Sequence, residues 1–196
     1  VIQFKLEGQL IKNHPEYGMD GRCFFDKVDF GRGVINIGGK EYELRDKSFP
    51  TVDPSDPLKL SREESELVRI LQSSFRHSGR LRQHIKFIYD HGGMYRKING
   101  NLLYHGCIPL NDDGSFREIT LPFADCAGKT FHGKALLDRI EQEVRSAYFS
   151  PNGTNEQKEA ADFMWYLWGG ADSPLYGKDK MAFFERTFLG KEAAEL

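Results

Sequence analysis

The sequence predicts an α+β fold. Three observations carry that reading: alternating runs that meet at Gly38-Gly39, β-prone runs that meet at Asn99-Gly100, and apolar stripes at helical spacing gathered elsewhere in the chain. Strands come in adjacent pairs and helices are segregated from them, unlike the strand-helix alternation of a doubly wound sheet.

The elements follow in order. Ile2, Leu6 and Leu10 recur at i, i+4, i+8 and predict an opening helix with no capping residue ahead of it. The pattern is already under way at Val1, so the 196 residues are expected to be an excerpt from a longer protein. A Pro- and Gly-bearing loop from His14 to Arg22 leads to GVINIGGKEYEL, which reads as a hairpin whose two glycines take positive φ at the turn. In FPTVDPSDPLKLS, Pro50, Pro54 and Pro57 exclude helix and make a stiff extended connection. Residues 1–60 thus form a helix, a hairpin and a Pro-rich connection.

Ser61 with Glu64 three positions on is a capping box, and Leu67, Val68, Leu71 and Phe75 form a helical stripe behind it. A second helix is expected from Gly79 to His91, with Leu81, Ile85 and Ile88 inward and Gly92-Gly93 as its stop. These two make a helical pair over 61–92. The region 93–122 holds a hairpin in MYRKINGNLLYHG, where Asn99-Gly100 suits a type I′ turn, then the loop CIPLNDDGS and a short strand near Phe116 to Leu121. The region 131–190 is helical: Ala135 to Phe149 on Leu136, Ile140, Val144 and Tyr148; Ala160 to Trp168 on Phe163, Met164 and Leu167; Lys180 to Leu189 on Met181, Phe184 and Phe188, with Gly190 as C-cap. Trp165 and Trp168 sit at helical spacing and read as core packing.

Composition excludes several function classes. With 27 Lys+Arg against 29 Asp+Glu, the net charge of -2 offers no electrostatic reason for a nucleic-acid or membrane partner. No apolar run approaches the ~20 residues of a bilayer span. VIQFKLEGQL lacks the basic-then-apolar pattern of a secretory signal. With 15 Phe, 8 Tyr and 2 Trp, the chain has enough to bury for an ordered core. Cys23, Cys107 and Cys126 are odd in number and widely spaced, which fits a reducing compartment better than a disulfide framework or a Cys-ligated zinc site.

Candidate chemistry divides unevenly. Ala127-Gly128-Lys129-Thr130 ends like a phosphate-binding loop, but Phe123 stands where that loop needs glycine, and Asp125 would put a negative charge in the cradle. His77, His84 and His91 recur every seven residues, a helical rise of ~10.5 Å that no single ion with bonds of ~2 Å can bridge. Asn13-His14 and Asp90-His91 lack the neighbours of a metal motif and read as structural. His105 differs. It ends a strand in NLLYHGCIPL, with Gly106 to turn the backbone and Pro109 to stiffen the exit, a setting that can aim an imidazole at a metal. Its local pattern fits a hydrogen-bonded core histidine as well.

NGNLLYHGCIPL resembles the His-Gly-Gly/Cys-Ile/Leu-x-Pro strand-to-loop segment of calcineurin-like metallophosphoesterases. The succession INIGGKEYEL, FPTVDPSDP, NGNLLYHGCIPL, GKALLD, MWYLWGG, SPLYGK and FERTF is similar, in that order, to the class III fructose-1,6-bisphosphatases of bacteria. The likeness runs from the first residues to about Phe188, and the family enzyme is much longer.

The resemblance implies a calcineurin-like αββα fold with a helical insert, of which this chain is a middle portion. It also implies a cytoplasmic enzyme of gluconeogenesis that releases the 1-phosphate of fructose 1,6-bisphosphate. Two divalent cations, Mn2+ or Mg2+, would polarise the ester and lower the pKa of a bound water, with His105 as one ligand. The superfamily's other ligand motifs are absent: the chain has no Gly-Asp and no Gly-His dipeptide, and its one Asn-His lacks the preceding glycine. The isolated chain is therefore expected to be inactive.

A sugar bisphosphate carries roughly -3 to -4 charge and needs convergent cations. Lys178 in the SPLYGKDKM loop is the first candidate, followed by Lys180, Arg186, Lys134 and Arg145, although Glu141 and Arg145 at i, i+4 also read as simple surface pairing. A homo-oligomer stays open. Two other readings stand beside this one: a structural or regulatory insert for subunit contact or effector binding, with His105 merely structural, and a metallophosphoesterase of another substrate.

Overall fold

Paired residues of positive φ close both long hairpins. Gly38 and Gly39 adopt φ of 59° and 83° between the strands Val34–Ile37 (β2) and Lys40–Glu43 (β3). Asn99 and Gly100 adopt 51° and 79° between Tyr95–Ile98 (β4) and Asn101–Tyr104 (β5), the two left-handed residues a type I′ turn requires. The computed structural model describes residues 1–170, 172–177 and 183–189, without the side chains of Phe183, Glu185 and Arg186. It is mixed helix and antiparallel sheet, as an α+β fold demands, and divides into two compact units, Val1–Ser78 with Lys180–Leu196, and Gly79–Asp179.

In the first unit a helix, Ile2–Asn13 (α1), precedes a three-stranded sheet of order β1-β2-β3, in which the short strand Val28–Asp29 (β1) pairs with β2. The core is aromatic. Phe25, Val28, Ile35, Leu44, Phe184, Phe188 and Leu189 are buried together, and Phe4, Phe24, Phe30 and Phe49 pack against them. Phe4 meets Phe184 edge-on at 5.5 Å and Phe30 meets Phe49 at 5.2 Å, geometries that add about 0.5–1.5 kcal/mol per pair beyond area burial. Phe184 and Phe188 come from the helix Phe183–Phe188 (α6); Lys180, Met181 and Gly190 of the expected last helix lie outside the described residues.

The expected opening helix forms, and its buried face is not the one its apolar spacing marks. Ile2, Leu6 and Leu10 are only partly buried, while Lys5, Gly8 and Ile11 are fully so. The reason is a tertiary ion pair. Lys5, 0% exposed, donates from Nζ to Glu64 Oε2 and to Thr51 O, each at 2.7 Å. Glu64 is the third residue of the helix Arg62–His77 (α2), and its carboxylate also accepts from Thr51 Oγ1 at 2.6 Å and from the Ser61 N–H at 2.8 Å, completing the predicted capping box. Gly8 lets α1 approach Leu58, since a Cβ there would stand 2.5 Å from Leu58 Cδ2.

The helix α2 forms as expected and its stripe lies largely at the surface: Leu67, Leu71 and Phe75 are exposed, Phe75 at 65%, while Val68 is half-buried.

The second unit opens with the helix Gly79–His91 (α3), whose bounds match the expected ones. Its inward assignment holds in part: Leu81 and Ile85 are half-buried, whereas Ile88 is 63% exposed, and no residue of α3 is fully buried. The core lies between two later helices, Gly133–Phe149 (α4) and Asn155–Gly169 (α5): Leu136, Leu137 and Ile140 face Ala160, Phe163 and Leu167, all buried. Against them sits the pairing of Ile119–Thr120 (β6) with Thr130–Phe131 (β7). Trp168, read as core, is 72% exposed: one residue on from buried Leu167, it is turned about 100° around α5 away from that face.

The stretch Ala127 to Thr130 leads into β7 and not into a helix, and Asp125 pairs with Arg139 at 2.8 and 3.0 Å, so no phosphate-binding loop forms. His14 donates from Nδ1 to Glu16 Oε1 at 2.7 Å and stacks on Tyr17, a local structural role.

Candidate functional site

His105 leaves the end of β5 exposed to solvent and makes no hydrogen bond or ion pair with a described residue. Its backbone is held firmly. Gly106 has φ of 85°, and a Cβ there would stand 2.0 Å from the carbonyl oxygen of Pro174. The next residue, Cys107, donates its N–H to that same oxygen at 2.7 Å. Glycine at 106 is therefore required by a close approach as well as by a sharp turn.

The segment on the other side of that contact is stitched to itself. Ser173, 1% exposed, donates from Oγ to Leu167 O at 2.6 Å, accepts from the Leu175 N–H at 3.2 Å, and takes the Gly177 N–H on its carbonyl at 2.9 Å. Arg117 pairs with Asp172 at 3.0 Å. Gly177, with φ of 62°, lies against Cys107, its would-be Cβ 3.1 Å from Cys107 Sγ. Pro174 and Gly177 thus lie against Gly106 and Cys107, the residues that follow His105. Lys178 and Lys180 themselves, and the side chain of Arg186, lie outside the described residues.

His105 also lines an open cleft of about 350 Å³ with Gly92, Gly93, Tyr95, Arg96 and Tyr104. A larger cleft of about 780 Å³ shares Gly92, Gly93, Tyr95 and Arg96 and continues to Lys97, Asp138, Glu141 and Arg145. Arg145, one of the candidate cations, is engaged there: its guanidinium reaches Glu141 Oε1 at 3.1 Å and donates to Tyr89 O at 3.1 Å. Lys134 is bound to Asp138, which lines the same cleft, and sits 5.6 Å from the centre of the Tyr95 ring. The hydrogen bond to Asp138 raises the Lys134 ammonium well above its ordinary range, and the same bond holds the Asp138 carboxyl low.

Two cations not singled out from the sequence, Arg96 and Lys97, belong to this lining. Their signal was available, since both precede the Asn99-Gly100 turn on a strand that otherwise reads as apolar. Arg96 donates to the His91 carbonyl, and Lys97 has no ion-pair partner among the described residues.

The donor set does not by itself fit a metal pair. Among the described residues no group of three or more His, Cys, Asp or Glu side chains is placed to hold an ion, and His105 belongs to none. The histidines 77, 84 and 91 form no such group either.

The family model for Firmicute fructose-1,6-bisphosphatase matches residues 1–195. The chain belongs to the Firmicute fructose-1,6-bisphosphatase family. Relatives of this bisphosphatase family named fructose-1,6-bisphosphatase class 3 include one from Bacteroides fragilis, 48% identical over 193 residues, covering 98% of this chain and 28% of the relative. Another from Clostridium novyi is 46% identical over 196 residues, 100% of this chain and 29% of the relative, and one from Listeria innocua is 46% identical over 192 residues, 98% and 29%. The chain thus spans less than a third of the length of these bisphosphatases. No solved structure matches it.

Proposed function

We propose that the chain is a segment of a metal-dependent fructose-1,6-bisphosphatase that hydrolyses the 1-phosphate of fructose 1,6-bisphosphate to fructose 6-phosphate and phosphate, a cytoplasmic step of gluconeogenesis. The family match over residues 1–195 carries this reading. In it, His105 is one ligand of an Mn2+ or Mg2+ pair whose other ligands come from the rest of a calcineurin-like αββα fold, so the segment alone is inactive. The clamp of Gly106 and Cys107 on Pro174 supports that role, because it fixes the backbone from which an otherwise unoccupied imidazole projects. The substrate's phosphates are met by cations, with Lys178 first, then Lys180, Arg186, Lys134 and Arg145; the contact of Gly177 with Cys107, two residues after His105, supports the choice of Lys178.

His105→Ala in the family-length enzyme tests the assignment. An exposed side chain without partners should cost less than about 0.5 kcal/mol of stability on truncation. The expected outcome is loss of bound metal and of phosphate release with an unchanged melting temperature. Full activity with reduced stability would make His105 a packing residue and favour the insert reading.

A further inference from the structure

Strand β5 is bare on both faces. Asn101, Leu102, Leu103 and Tyr104 are all exposed, although successive side chains of a strand point to opposite sides. Strands with one wet face alternate apolar and polar residues, whereas consecutive apolar residues mark a strand covered on both faces. Leu102, Leu103 and Tyr104 are of the second kind. Strand β4 is different, because Arg96 and Lys97 place charges of the sort that keep an edge from pairing. The hairpin therefore has a guarded edge at β4 and an open one at β5.

The register identifies the open groups. Ile98 and Asn101 flank the two-residue turn and form a hydrogen-bonded pair; Lys97 and Leu102 form the next, non-bonded pair, and the alternation continues through Arg96–Leu103 and Tyr95–Tyr104. The N–H and C=O of Leu102 and Tyr104 consequently point away from β4. Neither N–H has a backbone partner outside the hairpin among the described residues. A two-stranded hairpin of this length is at best marginal in water.

We infer that β5 accepts a further apolar strand along its Leu102–Tyr104 edge, supplied by the part of the family-length polypeptide outside these 196 residues. The relatives match nearly all of this chain, yet most of their length lies beyond the match. A second copy is a poorer occupant: a four-residue ladder is far short of the ~1,200 Å² that a stable association buries. A strand in the same polypeptide avoids the cost of association. The inference uses family membership and holds whether or not His105 binds metal. It gives β5 a second neighbour directly ahead of His105, so that the strand end is fixed from both edges.

Residue-resolved amide exchange in the family-length protein and in the 196-residue chain tests it, with the mass of each species followed by light scattering. Asn101 and Leu103 should be protected in both. Leu102 and Tyr104 should exchange about 100-fold or more slower in the family-length protein than in the monomeric 196-residue chain. Equal rates for Leu102 and Tyr104 in the two proteins would overturn the inference. So would protection that appears in the 196-residue chain together with a dimer mass, which would assign the edge to a second copy.

Discussion

Replacing Lys5 by Met probes the first unit at its most exacting point. The ammonium is fully buried and joins three segments: α1, the connection at Thr51 and the start of α2. Lys5→Met keeps most of the stem volume, so the cavity contribution is small, but it leaves the Glu64 carboxylate dry with only Thr51 Oγ1 and the Ser61 N–H as donors. Removing one partner of a buried pair costs about 3–5 kcal/mol, and the two surviving donors place this variant near about 3 kcal/mol. Glu64→Gln strands the ammonium and weakens the capping box, placing it nearer about 4 kcal/mol. Removing both charges eliminates the stranded partner, so Lys5→Met with Glu64→Gln should fall short of the summed losses by about 2 kcal/mol. Urea unfolding followed by circular dichroism measures all three. Strict additivity, or a Lys5→Met loss below about 1 kcal/mol, would refute the reasoning.

The same network sets an acid limb. Burial pushes the Glu64 carboxyl up, but the hydrogen bonds from Lys5, Thr51 and the Ser61 N–H outweigh it and hold the group below the ordinary carboxylate range. A carboxyl lowered in the folded state contributes fully above its unfolded value of about 4.3 and loses that contribution as pH falls through the folded value. Stability should therefore drop below about pH 4.3, and Lys5→Met should flatten that drop.

Other outcomes follow from local geometry. Gly106→Ala meets both a positive φ and the Pro174 carbonyl, and should lower stability by more than about 2 kcal/mol; Gly106→Asn relieves the φ alone, so a tolerated asparagine in a thermal melt would show that the close approach does not matter. Asn99→Gly should be nearly neutral and Asn99→Ala should cost about 1 kcal/mol, measured by the same melts; equal effects would contradict the left-handed turn. In native thiol labelling at pH 8 with a neutral maleimide, half-buried Cys107 should react first. Cys23 is 2% exposed, with its thiol pushed up to about 11 by burial and by Asp26, and Cys126 is 1% exposed. Early modification of Cys23 would contradict that burial.

What could be read from the residues alone was what depends on near neighbours in sequence. Both hairpins rest on residues of positive φ at the turn, and the α2 start rests on Ser61 and Glu64, so each was visible in a window of a few positions. The ends of α3 were legible for the same reason. What escaped depends on partners far along the chain: Lys5 is drawn inward by Glu64, 59 positions away. The stripe of α2 was correctly seen as apolar, yet apolar periodicity states what a helix can bury and not whether a partner is present to bury it. Trp168 fails on the same ground. At the candidate site, Gly106 was legible as a turn, while its contact with Pro174 and the lining role of Arg96 and Lys97 needed the fold.

The most direct test of the account compares the 196-residue chain with the family-length protein in one assay: phosphate release from fructose 1,6-bisphosphate at millimolar Mn2+. The account predicts turnover by the family-length protein and only background release by the chain alone, among whose described residues no group of three or more His, Cys, Asp or Glu side chains is placed to hold an ion. Robust turnover by the isolated chain, or none by the family-length protein, would contradict it.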